Sequence, residues 1–339
     1  MRVHVNGMTY NKSDFYSLLL MDKIRALMKK NNSRLCVGLD VDGCGKHVID
    51  ATHDLVCAYK INPAFYESGG ICGATELAEL CHYLRTTYPQ IAIILDGKRG
   101  DVGHSSQEYA RAAFDELGVD AVTLNPYLGQ DALEPFLCRK DKLCFILCRT
   151  SNPGADEFQD MRIDGVPLYK KVAERVAKSW NVNGNCGLIV GARKDDGGPS
   201  EMGGEKIRDI VGDDMIVLMP GVGAQGGDLL RTLRNLTNSK GDGVIVTVSR
   251  AIIRAEDVRA EAVRYRDKIN ALVACPRVVV MADPPGGWKY GFPKEYDEQT
   301  PLATWLAANG YPHSMISPDI DRHVRFFYKP MQNEREKIV

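Results

Sequence analysis

The sequence predicts a closed (β/α)8 barrel of the TIM-barrel class with a small C-terminal α+β extension. Three observations predict it. Eight short apolar runs recur between residues 34 and 249, and each is followed by a polar or Gly-rich turn. A stretch with helical periodicity follows most of these turns. The runs are continuously apolar rather than alternating, the pattern of parallel strands covered on both faces. Eight such units in about 240 residues match the usual length of such a barrel. An open doubly wound sheet is the competing architecture, but no glycine fingerprint follows the first run.

The runs are RLCVGLD (34–40), VCAYKIN (56–62), IAIILD (91–96), DAVTLN (120–125), KLCFILC (142–148), CGLIVGA (186–192), MIVLMPG (215–221) and GVIVTVS (243–249). Helical patterning covers 74–88, 106–118, 164–180, 226–238 and 255–270, between and after them. Residues 1–30 read as an N-terminal helical segment, 31–274 as the barrel and 275–339 as the extension. The extension holds two of the three tryptophans and a cluster of prolines and glycines. Its pattern predicts a strand at 277–282, a helix at about 301–309 and a strand at 323–328. It is too aromatic for plain disorder.

Composition narrows the function classes. The 339 residues carry 43 Lys+Arg against 44 Asp+Glu, a formal net charge of -1. A near-neutral balance gives no whole-protein reason to expect nucleic acid or an anionic membrane as partner. No apolar stretch reaches the ~18 residues needed to span a bilayer, and the N-terminus lacks the order of a signal peptide. Four of the ten cysteines, Cys36, Cys57, Cys144 and Cys148, lie inside strand-like runs, where a free thiol behaves as a small hydrophobe. No CxxC is present and no Cys/His group has zinc spacing, so no metal site is expected. A cytoplasmic enzyme with reduced thiols is the expectation.

Polar residues sit where a barrel carries chemistry. Asp40, Lys60, Asp96, Asn125, Ser151 and Arg250 fall at or just after the C-terminal ends of runs, the one face where such barrels catalyse. The third run ends ILDGKRGDVG, which puts Asp96, Lys98 and Asp101 within six residues. In an extended segment Asp96 and Lys98 point the same way, and Asp101 lies beyond a glycine, free to come back toward the lysine. A surface salt-bridge turn would look the same locally; the strand-end position favours catalysis. A lysine among carboxylates stays protonated. Such an ammonium can stabilise a developing carbanion and then deliver its proton.

A second constellation points to phosphate. GVGAQGG (221–227) follows the seventh run and opens a helix. Small residues let backbone N–H groups approach an anion, which a helix N-terminus favours. Barrels often bind phosphate after strands seven and eight, and Arg250, at the end of the eighth, can add a bidentate contact. The polar, Gly-rich 193–206 reads as a lid or a plain loop.

The D-x-K-x-x-D of the third run resembles the signature of the orotidine 5′-monophosphate decarboxylase family, and LDGKRGDVG is closest to its longer DxKRGDI branch. The resemblance spans roughly residues 30–270. LCVGLD, YKIN, TLNPYLG, CRTSNPG, PGVGAQGGD and SRAII match further segments in order. It implies cofactor-free decarboxylation of orotidine 5′-monophosphate to uridine 5′-monophosphate, with Lys98, Asp96, Asp101 and Lys60 as the charged array. It implies substrate contacts from Asp40 on the ribose, Ser105 where the family often has Thr, Asn125 after strand four and Ser151 on the pyrimidine. Gln225, Gly226 and Arg250 would hold the phosphate. It also implies a homodimer in which Asp101 completes the neighbouring site. Two alternatives remain: a Mg2+-dependent sugar-phosphate lyase or aldolase of the same barrel group, and a non-catalytic scaffold whose extension does the binding. The lyases tend to carry a glutamate near the end of strand two, where this chain has Lys60.

Overall fold

In the computed structural model, residues 2–5, 8–40, 43, 45–192, 207–221, 229–274, 278–296, 302–317, 320 and 323–330 are described. Each of the eight apolar runs forms a strand: β1 (Leu35–Gly38), β2 (Ala58–Ile61), β3 (Ala92–Arg99), β4 (Ala121–Leu124), β5 (Leu143–Arg149), β6 (Cys186–Val190), β7 (Val217–Met219) and β8 (Val244–Val248). All pair in parallel with their sequence neighbours. The ring closes through β8 on β1.

Alternation along the strands divides the core in two. Inward-facing Cys36, Ala58, Ala92, Ile94, Phe145 and Ile245 fill the barrel, while Val37, Tyr59, Ile93, Val122 and Val246 pack outward against the helices. The helix Lys12–Lys30 follows a hairpin of Arg2–Val5 and Met8–Asn11. It sends Leu20, Met21, Ile24 and Met28 into the interior cluster beside the strand-start residues Ala92 and Leu143. The helix therefore plugs the barrel end where the strands begin and leaves the opposite end for polar groups.

Where the helices differ from expectation, turn chemistry explains it. The segment 164–180 reads as one helix, yet the helix starts only at Leu168. Asp164 (φ 52°) and Gly165 (φ 77°) instead make the two-residue turn of a hairpin pairing Arg162–Ile163 with Val166–Pro167. Both central residues need positive φ in such a turn, and Asp-Gly supplies it. The helix at 106–118 begins earlier, at Gly103, and its last turn, Ala112–Glu116, widens to a π-helix. Of the helix expected over 226–238, residues 226–228 lie outside the described residues, and Leu229–Leu236 is helical. The helices Gly45–Thr52 and Gln130–Leu137 had no clear periodic signal.

The strand starts near β7 and β8 are pinned by one cation. Arg208 is 7% exposed. Its guanidinium donates to the carbonyls of Gly212 and Met215 at 2.7 Å, of Gly243 at 2.8 Å and of Leu236 at 2.6 Å. Arg208→Met should leave the Gly212, Met215 and Leu236 carbonyls without this donor, while Gly243 keeps the Val217 N–H at 2.9 Å. Each such group costs about 1–3 kcal/mol, so a loss of several kcal/mol is expected, read as a fall in thermal midpoint. A midpoint within a degree or two of wild type would contradict this role.

The extension builds a separate three-stranded antiparallel sheet from β9 (Val278–Asp283), β10 (Lys294–Tyr296) and β11 (Arg325–Pro330), with β9 in the middle. The helix Leu302–Ala308 joins it. Its own apolar cluster includes Phe292, Tyr296, Trp305 and Tyr311. Phe292 and Tyr296 meet Trp305 edge-to-face at 5.8 and 5.0 Å.

Candidate active site

At the C-terminal end of the barrel the inward-facing side chains change from apolar to charged. On β2 Ala58 is followed by Lys60; on β3 Ile94 is followed by Asp96. Lys60 Nζ lies 2.9 Å from Asp96 Oδ2 and 3.6 Å from Asp40 Oδ1. Lys98 Nζ lies 2.8 Å from Asp96 Oδ1. Asp96 is thus gripped by two ammonium groups, one on each carboxylate oxygen. Lys60 and Asp96 are buried, whereas the Lys98 side chain is 43% exposed. Lys98 is the member of the array that reaches solvent.

Electrostatics fixes the charge states of the buried pair. Burial alone would raise the Asp96 carboxyl, but the Lys60 and Lys98 ammoniums outweigh it and hold the pKa at about 2. Burial works against the charge of Lys60 too, but Asp96 and Asp40 raise its pKa above the ordinary value. The depressed carboxyl contributes stability that is present above the ordinary carboxylate pKa and lost as pH falls from about 4 toward 2. The raised ammonium contributes stability that is present below the ordinary lysine pKa and lost as pH rises through the higher folded value. Across neutral pH both stay ionised.

Lys98 reaches Asp96 by a route that alternation does not foresee. Its backbone is left-handed, with φ 47°, and the register between β3 and β4 slips between Leu95 and Arg99. The two side chains meet across a bulge, not along an extended strand. Arg99 turns outward, pairing with Glu67 at 2.6 Å and lying 4.8 Å over the Tyr109 ring.

Asp40, Lys60, Asp96, Thr247, Ser249 and Arg250 line a cleft of about 170 Å³. Gly38, inward-facing on β1, makes room for it, since a Cβ there would meet the Ser249 Oγ at 1.9 Å. Asp40 Oδ1 is buried with no hydrogen bond and only the Lys60 ammonium, 3.6 Å away, beside it, and Thr247 Oγ1 lies next to the Cys36 thiol. Buried polar atoms are nearly always satisfied, so the Asp40 oxygen can take a ligand hydroxyl or water. Ser151 approaches the same strand ends because residue 191 is glycine; a Cβ there would sit 2.7 Å from the Ser151 Cβ. The loop carrying Ser151 is clamped by Gln159, which accepts from the Thr150 N–H and donates to its hydroxyl, both at 2.8 Å.

Other expected residues stand apart. Asn125 accepts from the Tyr127 N–H at 3.1 Å, capping the short Pro126–Leu128 turn. Ser105 is exposed on the rim. Its neighbour Ser106 is the built-in hydroxyl, 2.7 Å from the carbonyl oxygens of Asp101 and Ala132. The Asp101 carboxylate accepts from the Val102 N–H at 2.7 Å, and among the described residues no ion pair joins it to Lys98. Arg250 opens the short helix Arg250–Ile253 and is exposed at the cleft. Gln225 and Gly226, like all of 193–206, lie outside the described residues. Thr123 and Thr247 were not singled out from sequence, because threonine inside an apolar run reads as an ordinary strand former.

Comparison with known proteins decides the family. The Orotidine 5'-phosphate decarboxylase / HUMPS family profile matches residues 33–265. The chain belongs to this family. Orotidine 5'-phosphate decarboxylase of Janthinobacterium sp. (strain Marseille) is 40% identical over 280 residues, covering 76% of this chain and 100% of that protein. The Herpetosiphon aurantiacus protein of the same name is 46% identical, covering 70% of this chain and 90% of its own. The solved structure of Leishmania donovani OMP decarboxylase superposes with a TM-score of 0.67 at 36% identity, covering 75% of this chain and 99% of that one. Leishmania donovani UMP synthase gives a TM-score of 0.68 at 39% identity over 74% of this chain, and the match spans 56% of that longer protein. The family match ends within the helix Val258–Ala274, so the extension lies beyond it.

Proposed function

We infer that this chain decarboxylates orotidine 5′-monophosphate to uridine 5′-monophosphate, a step of de novo pyrimidine biosynthesis. The observation that carries the reading is the Lys60–Asp96–Lys98 array at the strand ends of a barrel whose 40–46% identical relatives bear that enzyme's name.

The chemistry follows from the array. Loss of CO2 breaks the C6–carboxylate bond and leaves its electron pair on C6. Lys98 Nζ, held by Asp96 and partly exposed, stabilises that charge and delivers its proton to C6. Solvent then restores the proton to Lys98. The buried Lys60 keeps Asp96 ionised and in place. The Asp40 oxygen that carries no hydrogen bond suits a ribose hydroxyl, Ser151 the pyrimidine, and Arg250 with Gln225 and Gly226 the phosphate. Asn125 and Ser105 belong to the rim of this site. The reading calls for no cofactor or metal.

Dimerisation belongs to the same reading. The Asp101 carboxylate does not serve its own chain's Lys98. Val102 beside it is 64% exposed, and Tyr127 on the next loop is 83% exposed. An apolar rim around an unused carboxylate fits a self-complementary two-fold interface that hands Asp101 to the partner's site. Among the described residues no helix is long and apolar enough to cross a membrane, which agrees with a cytoplasmic setting and a small-molecule substrate.

The test is the absorbance change of orotidine monophosphate on incubation with the chain in EDTA, with the product identified as the uridine nucleotide. Turnover supports the reading. Turnover only after Mg2+ is restored would favour the metal-dependent lyase chemistry of this barrel group. Absence of turnover in either condition would favour a scaffold. Arg250→Ala should weaken binding of uridine monophosphate by about 1.5–3 kcal/mol, the cost of a lost charged hydrogen bond. Uridine, which has no phosphate, should bind as before. Equal losses for both would place Arg250 outside the phosphate site.

A further inference from the structure

The bulge that presents Lys98 has an unusual support. From Leu95 to Arg99 β3 advances four residues while its partner β4 advances two, from Val122 to Leu124. Thr123 therefore stands alone opposite Asp96, Gly97 and Lys98. In a regular ladder, with the Ile93 and Arg99 carbonyls facing β4, alternation would turn the Lys98 N–H toward β2 instead. Here it donates to the Thr123 hydroxyl at 2.9 Å. The same hydroxyl donates to Asp96 Oδ1 at 2.9 Å. One group thus takes up the redirected amide and completes the shell of the central carboxylate.

The polarity of the two bonds is determined. A backbone N–H can only donate and an ionised carboxylate can only accept, so the single hydroxyl hydrogen goes to Asp96 and a lone pair to Lys98. Thr123 is fully buried (0% exposed), so water cannot take over either role. The residue it holds is in the left-handed region, which a non-glycine residue keeps only when its surroundings enforce it.

We propose that Thr123 is a positioning residue for the proton donor, fixing the Lys98 backbone and the Asp96 carboxylate in one geometry through its hydroxyl. The inference rests on the decarboxylase reading for its kinetic consequence, but its structural consequence stands independently. Thr123→Val keeps the shape and removes both bonds. It should lower kcat by on the order of 10²-fold, the scale of an ångström-sized misplacement, with affinity for uridine monophosphate unchanged. Thr123→Ser, which keeps the hydroxyl, should recover most of the loss. Because Thr123 acts through Lys98, Thr123→Val added to Lys98→Ala should cost nothing further.

Hydrogen exchange at the Lys98 amide separates this proposal from the enzymatic reading. That amide should be protected in the wild type and in Thr123→Ser and should exchange freely in folded Thr123→Val, whatever the protein turns over. A protected Lys98 amide in Thr123→Val would overturn the proposal. So would wild-type kcat in that variant, equal losses in the Val and Ser variants, or an undiminished further loss on the Lys98→Ala background. Wild-type protein inert toward orotidine monophosphate, with the amide pattern as expected, would overturn the decarboxylase reading and leave Thr123 as the support of the bulge.

Discussion

Lys98→Ala should turn over orotidine monophosphate at no more than about a hundredth of the wild-type kcat, since a positioned general acid contributes about 10²–10⁴-fold. The side chain is the half-exposed end of the array, so its removal opens no core cavity. Asp96 keeps its bond to Lys60 at 2.9 Å and to the Thr123 hydroxyl at 2.9 Å. Fold and phosphate grip should therefore survive, and the dissociation constant for uridine monophosphate should stay near that of the wild type. Kinetics together with product titration checks both halves. A variant that keeps more than about a hundredth of kcat would remove Lys98 from the role of proton donor.

Mixing two nearly inactive variants should restore activity. If Asp101 serves the partner's site, a dimer of one Lys98→Ala chain and one Asp101→Ala chain has one site with both lesions and one with neither. Random exchange makes about half the dimers mixed, so about a quarter of wild-type activity should return. The geometry motivates the experiment: within one chain the Asp101 carboxylate accepts from the Val102 N–H and forms no ion pair with Lys98. No recovery after verified exchange would return Asp101 to its own chain's site.

Much of this was legible in the sequence because strand-end position does the placing. Once the apolar runs are parallel strands of a barrel, a polar residue following an inward-facing apolar one must emerge into the cleft. Lys60 after Ala58 and Asp96 after Ile94 obey that rule. The bulge was not legible, since Asp96 and Lys98 two residues apart predict simple alternation, whereas the contact runs through a left-handed lysine. The roles of Thr123 and Thr247 depend on what lies across the barrel, which a β-branched residue in an apolar run does not announce. Ser105 and Ser106 differ by one helical step, and burial of the second is decided by its bonds to Asp101 and Ala132. The hairpin at 162–167 was legible in principle, as Asp164–Gly165 is a turn pair, but the helical periodicity downstream masked it.

The most direct measurement is a crystal structure of the chain with uridine monophosphate bound. The account predicts C6 of the base facing Lys98 Nζ, a ribose hydroxyl on the buried Asp40 carboxylate, and the phosphate at Arg250. A nucleotide seated elsewhere, or in this cleft with C6 turned away from Lys98, would contradict it.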